Sequence, residues 1–293
     1  MGVLPFLTFT GLALIVPIGF LVWESIRKTT VTGTPVLDPA TMHYATPSHT
    51  AFTLSNFADT FHQPHLHALE TSLKLSAITA VLAAVLGFAL AQAVVASKGG
   101  TLKRIVTTAS AVTANFGGIP LAFIFVATID ANAGVFSKFV QNHLGFSLQD
   151  DLGFNLQGVS GITVVYMYFL VPLMVLVMMP ALEGIKEHWG EAAENLGASR
   201  AQYWRWVAAP VLLPSFLGAM LLVFCASLSA YATAYAINSF FPLVTIDIVS
   251  LISGNVLAGP NLGAALAVDM ILIVLPLTGV YLWLQRRTSR WLA

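Results

Sequence analysis

The sequence predicts an all-α polytopic membrane protein with six transmembrane helices and both termini in the cytoplasm. Three observations predict it. Apolar residues make up 57 % of the chain and charged residues 9 %, against about 25 % charged in a typical soluble domain. Six apolar stretches reach the roughly 20 residues that cross a hydrocarbon core as a helix. Basic residues also fall unevenly between the connections. Lys98, Lys103, Arg104, Lys186, Arg200, Arg205, Arg286, Arg287 and Arg290 lie on one side, and Arg27, Lys28 and Lys138 on the other, a nine-to-three split that puts the richer side in the cytoplasm.

Taken in order, the first span is about Val3–Val22. No basic segment precedes it and no small-residue cleavage site follows, so it reads as a retained helix rather than a signal peptide. A polar segment rich in Thr, Pro and His runs to His67, so residues 1–68 form a first helix plus an external loop. The second span, about Leu75–Val95, carries Ala83, Gly87 and Ala91 four apart, a small-residue stripe that lets helices approach closely. After the basic turn Ser97–Arg104 comes a third span, about Ile105–Ile129, which contains Asn115-Phe-Gly-Gly-Ile-Pro120. Two Gly and a Pro predict a broken or kinked helix, tolerated in a bilayer only beside protein or a water-filled path. The loop over 130–160 holds a short surface helix around Val135–His143. A fourth span, about Gly161–Leu182, contains Pro172 and Pro180, and a fifth covers about Val211–Ile237. Ile246–Leu257 is too short to cross and reads as a re-entrant or surface helix. The sixth span, about Leu262–Leu284, leads into a cytoplasmic tail at 286–293.

Net charge is zero, which implies no long-range attraction to nucleic acid. The lone Cys225 sits in an apolar run and packs as a small hydrophobe. No Gly-Lys dipeptide occurs, so there is no P-loop, and the H-E-x-x-H and G-x-S-x-G patterns are absent. His62, His65 and His67 read as polar loop residues rather than a metal site, because Pro64 breaks their register and no Cys is near. The chain therefore carries no catalytic, cofactor or metal residues of its own.

The longest charge-rich stretch is Glu191–Pro214, EAAENLGASRAQYWRWVAAPVLLP. Upstream of Gly197, Trp189, Ala192, Ala193 and Leu196 recur on one helical face and Glu187, Glu191 and Glu194 on another. Gly197 ends that helix in a left-handed cap, Ser199 and Gln202 form a capping box for the next, and Pro210 and Pro214 bend the chain on re-entry. Glu-Ala-Ala at 191–193, Gly197, Val207 and Pro210 resemble the EAA loop of ABC-importer permease subunits, with Val207 and Ala209 where that family has Ile and Leu. Two shorter runs support the resemblance. Phe52-Thr-Leu-Ser-Asn-Phe57 is similar to the F-T-L-x-N-Y/F run ahead of the transport domain. Residues 226–233 are similar to the S-L-x-x-F/Y-x-T-P region of the polyamine-type branch, with Ala234 in place of Pro.

The resemblance implies a type I ABC-importer permease fold, with a transport domain at 69–285 and a cytoplasmic coupling loop at about 183–209. Glu191, Ala192, Ala193 and Gly197 would couple to two ATPase subunits that hold ATP and Mg. A second permease subunit, identical or paralogous, and an external solute-binding protein complete the set. It also implies alternating access in a bacterial inner membrane, for a polyamine or another small charged solute such as aminophosphonate, thiamine or ferric ion. Candidate path residues follow from the polar groups within the spans. Asn115, Gly117 and Gly118 mark the break. Ser227, Tyr231 and Tyr235 share one face of the fifth span with Asn238. Asp269 is the only acid deep in the sixth, either a countercharge or a helix–helix hydrogen bond. An ion-coupled secondary transporter is the alternative; it would need such intramembrane charge but no docking loop.

Overall fold

In hydrocarbon, every backbone N–H and C=O must be satisfied within the protein, which leaves helices as the solution for a chain of this pattern. The computed structural model describes residues 4–31, 36–37, 44–45, 48–97, 100–131, 133–149, 151, 153–254 and 260–289. Lys98 and Arg290 lie outside the described residues. The chain divides into two units, Met1–Ser72 with Pro242–Leu275, and Leu73–Phe241 with Pro276–Ala293. Among the described residues five helices are long and apolar enough to cross a membrane, and a sixth candidate is a helix pair bent by 102°.

The first unit opens with α1 (Leu4–Ser25), most of whose apolar side chains are exposed. The polar segment after it is more ordered than its composition suggests. Strands β1 (Arg27–Val31) and β4 (Ser48–Phe52) pair antiparallel, Arg27 opposite Phe52, and β2 (Val36–Leu37) pairs with β3 (Tyr44–Ala45). Then come α2 (Ser55–Thr60) and the start of α3 (His65–Ala96). Later in the chain, α12 (Val244–Gly254) and the first part of α13 (Pro260–Ser289) complete the unit.

Two buried asparagines staple this unit. Asn56 donates from Nδ2 to the carbonyls of Ser25 and Arg27, both at 2.7 Å. Asn261 donates to the Glu24 carbonyl at 3.1 Å and to Glu24 Oε2 at 3.0 Å, and accepts from Thr29 N–H at 3.3 Å. Asn56 is the Asn of the Phe52–Phe57 run, so that motif has a local structural role: it fixes the turn from α1 into β1. Further ties are Lys28 to Asp59 at 3.0 Å, His65 to Asp247 at 3.1 Å, and Val244 N–H to Ser72 Oγ at 2.9 Å.

The second unit is built on α7 (Val159–Glu183), whose Tyr166, Leu170, Met174 and Met178 are fully buried. Around it stand the rest of α3, α4 (Gly100–Asn115), α5 (Ile119–Ile129), α6 (Val135–Leu144), α8 (Glu187–Asn195), α9 (Arg200–Tyr203), α10 (Ala209–Ser229) and α11 (Ala232–Ile237). The expected small-residue stripe is used: Ala83 and Ala91 are buried, and a Cβ at Gly87 would lie 2.5 Å from Met174 Cβ, so only Gly permits this approach of α3 to α7. The short helices expected near 135 and 246 are both present, as α6 and α12.

Two expectations need correction. The fifth span is not one helix to Ile237: the helical run Arg200–Ser229 stops, and α11 is a separate piece. Pro210 and Pro214 do not interrupt that run. A widened π turn at Trp204–Ala208 precedes them, with Ala209 N–H donating to the Trp204 carbonyl. Pro210 has no N–H and its ring crowds the carbonyl four residues back, and the wider turn accommodates it.

Replacing Asn56 with Ala leaves two carbonyls without their donor, and should lower stability by about 2–3 kcal/mol. Lys28→Ala, which breaks a half-exposed ion pair, should cost ~0.5 kcal/mol or less. Thermal unfolding of the purified chain in detergent compares the two.

Candidate functional site

Two features of the second unit carry function-like geometry: the loop between α7 and α10, and a point where two helices are interrupted together.

The loop is stiff. At the end of α8, Gly197 N–H donates to the Glu194 carbonyl and Ala198 N–H to the Ala193 carbonyl, both at 2.9 Å. With Gly197 at φ 76°, this is a complete Schellman stop. Open space surrounds Gly197, so Gly is required there by conformation and not by crowding. Two residues later Ser199 and Gln202 make the expected capping box, with Gln202 N–H to Ser199 Oγ at 3.3 Å and Ser199 N–H to Gln202 Oε1 at 2.7 Å. The N–H groups of Leu196, Gly197, Ala198 and Ser199 all have partners within the loop, so the corner between α8 and α9 is held by the chain's own bonds.

The apolar side of α8 is only partly covered by the described residues, with Trp189 half-buried. Glu191 and Ala192 are exposed, Ala193 is half-buried, and Leu196 is 87 % exposed. At the loop's entry, Glu183, the last residue of α7, pairs with Lys103 in the first turn of α4 at 2.7 Å. Thr107, one turn on, donates to Met179 Sδ at 3.6 Å.

The second feature joins two breaks. Between α4 and α5, Gly118 takes φ 81° with ψ −155°, a region open essentially to Gly alone, and the two helices diverge by 102°. Between α10 and α11, Ala230 is extended. Thr233 of α11 connects them: its Oγ1 accepts from Gly118 N–H at 2.8 Å and donates to the Gly118 carbonyl at 3.3 Å. Tyr166 Oη of α7 donates to the Ala230 carbonyl at 2.9 Å. The second break has a local cause. Ser229 Oγ donates to the Ala226 carbonyl, and Ala230 N–H donates to Ser227 in its place, the known competition of a Ser hydroxyl with the helix ladder.

The sequence-derived path residues divide accordingly. Asn115 and Gly117 are exposed at the first break, Asn115 with its amide donating to the Ala111 carbonyl. Tyr231 and Tyr235 stack at 5.1 Å on α11, and Tyr235 is 45 % exposed. Ser227 is not on their face: it is buried in α10 and hydrogen-bonds Thr79 of α3 at 2.7 Å. The single polar stripe through Ser227, Tyr231, Tyr235 and Asn238 does not exist, because the chain leaves the helix at Ala230. Asp269 lies in the first unit, 6 % exposed, with Thr60 in hydrogen-bonding reach and Oδ2 without a partner among the described residues. Thr233 stands in the sequence as the Thr of the 226–233 run but was not among the expected path residues, and Tyr166, a Tyr inside an apolar span, gave no signal. No group of three or more His, Cys, Asp or Glu that could hold a metal occurs among the described residues.

A helical, multi-pass architecture with interrupted helices and an exposed, self-capped loop helix defines a membrane transport component. The chain belongs to the family described as binding-protein-dependent transport system inner membrane component, whose sequence profile matches residues 83–290. It is 24 % identical over 228 residues to the ferric transport system permease protein FbpB of Actinobacillus pleuropneumoniae, covering 76 % of this chain and 32 % of that protein. To the thiamine transport system permease protein ThiP of Brucella abortus (strain 2308) it is 29 % identical over 172 residues, covering 55 % of this chain and 31 % of that protein. The chain thus spans about a third of the length of the curated relatives it matches (32 % and 31 %). In fold it is similar to a chain of a bacterial ABC transporter involved in the import of the acidic polysaccharide alginate, with TM-score 0.64, 15 % identity, and coverage of 98 % of this chain and 93 % of that one. A chain of the MetNI methionine ABC transporter in an inward-facing conformation matches with TM-score 0.52 and 15 % identity, over 78 % of this chain and 99 % of that one.

The two glycines at the first break should behave differently. A Cβ at Gly117 meets nothing within 4 Å, so Gly117→Ala should change stability by under ~0.5 kcal/mol. Gly118→Ala forces a side chain into a Gly-only conformation and should cost about 1–3 kcal/mol. Thermal unfolding of both variants checks the order.

Proposed function

We propose that this chain forms the solute path of an ATP-driven importer and works by alternating access. The observation that carries the reading is the loop helix α8, stiffened at its C-terminal corner by its own backbone bonds and presenting exposed Ala192 and Leu196 beside Glu191. A rigid element with a partly uncovered apolar face suits a groove on a partner, and a rigid element transmits force. In this reading two ATPase subunits receive the loops of two permease subunits, and an external binding protein delivers cargo. ATP and Mg belong to the ATPase. ATP binding closes the ATPase pair, the loop helices move with it, and the path opens to the outside; hydrolysis resets it.

We further read the cargo as a small cationic solute, polyamines included. The names of the ferric and thiamine relatives support a cation. The double break is compatible with it, since Asn115, Tyr231 and Tyr235 there carry no positive charge that would repel a cation.

Gly197→Val should uncouple ATP hydrolysis from uptake in vesicles carrying the whole complex, because a β-branched residue is strongly disfavoured at positive φ. Gly197→Asn, which tolerates that conformation, should retain coupling, and Glu191→Ala should be milder, by on the order of 1 kcal/mol in ATPase affinity. Normal uptake by Gly197→Val sinks the coupling role. Uptake that survives ATP depletion but stops when ionophores collapse ion gradients would replace this reading with an ion-coupled one.

Orientation is checked by cysteine accessibility. Arg104→Cys and Arg287→Cys should be labelled only from the cytoplasm, and Ser48→Cys and Gln149→Cys only from outside. External labelling at Arg104→Cys overturns the topology.

A further inference from the structure

We propose that Thr233 is a positioning residue that ties the two helix interruptions into one body, so that the α4–α5 and α10–α11 breaks move together during transport. The inference rests on the transport reading above. The geometry is specific. One hydroxyl serves both backbone groups of Gly118, accepting from its N–H at 2.8 Å and donating to its carbonyl at 3.3 Å. Thr233 is 3 % exposed, so its hydroxyl has little access to water, and Gly118 N–H sits where no α4 carbonyl continues the ladder. Two residues before Thr233, the half-buried Tyr231 begins the stacked pair with the exposed Tyr235, and one residue before Gly118 is the exposed Gly117. A Cβ placed on Gly118 would be 3.9 Å from Ala232 Cβ, so the two segments run close together here as well. Tyr166 Oη on the Ala230 carbonyl holds the knot to the buried strut α7.

The tie also lies on a mechanical line. Glu183, where α7 enters the docking loop, pairs with Lys103 of α4, and α4 ends at the knot. A displacement of the loop that moves α4 reaches α11 through Thr233. Without that hydroxyl the line stops at Gly118.

The experiment uses the reconstituted complex with its ATPase, in a Cys225→Ala background carrying Gly117→Cys, and the water-soluble thiol reagent MTSES as probe. Labelling rate is measured at rest and after trapping with ATP and vanadate. With Thr233 intact the two rates should differ by about 10-fold or more, within the usual range of coupling between sites. Thr233→Val, equal in shape but without the hydroxyl, should cut that ratio to below ~2-fold, and Thr233→Ser should restore it. Thermal unfolding is recorded alongside. If Thr233→Val keeps the full ratio, whatever its melting temperature, the residue is structural only and the inference is wrong. It is equally wrong if Thr233→Ser is as defective as Thr233→Val, since the hydroxyl is then not the agent. If the parent with Thr233 intact shows no change on trapping, the path reading itself fails, and this inference with it.

Discussion

The structure depends on one constraint: a helix that is interrupted inside a bilayer must find partners for the backbone groups it frees. Each unpaired group costs several kcal/mol in hydrocarbon, about 4–8 by water-to-cyclohexane transfer. This chain meets the cost with neutral hydroxyls. Thr233 covers both groups of Gly118, Tyr166 covers the carbonyl of Ala230, and Ser229 occupies the carbonyl of Ala226. A hydroxyl suits the task because it donates and accepts at once, and it adds no charge to a low-dielectric interior.

That solution shapes how the second unit is assembled. Because α7 supplies Tyr166 to the knot, it is tied to the chain just after α10, and further along it Leu170, Met174 and Met178 are fully buried. Close packing against α3 is bought at Gly87, where a side chain would overlap Met174. The ion pair Lys103–Glu183 adds little by itself, since both side chains are 40 % or more exposed and such pairs contribute about 0–1 kcal/mol. Its value is positional, in fixing the first turn of α4 beside the end of α7, where the loop that carries α8 begins.

What the sequence disclosed follows from which signals are local. Gly117-Gly118 and Pro120 announced the first break because Gly and Pro act through their own backbone. The stop at Gly197 and the restart at Ser199 were readable for the same reason, and the structure has both as written. The second break was not readable. It contains neither Gly nor Pro, and arises from a Ser hydroxyl competing with the ladder and from a Tyr on another helix. The Ser contact is local but leaves no mark on the periodicity, and the Tyr is brought there by tertiary packing, which a periodicity reading does not see. The hairpin after α1 was hidden likewise: its strands are short, and its staples, Asn56 and Asn261, are 205 positions apart in sequence by subtraction (261 − 56).

The same reasoning bears on Asp269. Asn261, Ala265 and Asp269 follow one another at steps of four on α13, so they share a face. All three are buried. Asn261 at one end holds the turn out of α1 through Glu24 and Thr29. Asp269 at the other end meets Thr60, the last residue of α2. The face therefore clamps two neighbouring points of one unit, α1–β1 and α2, with a small residue between. A carboxylate in that setting has a packing reason for its position before any solute is invoked. Its second oxygen, without a partner among the described residues, is the only part of the side chain that this clamp leaves unexplained.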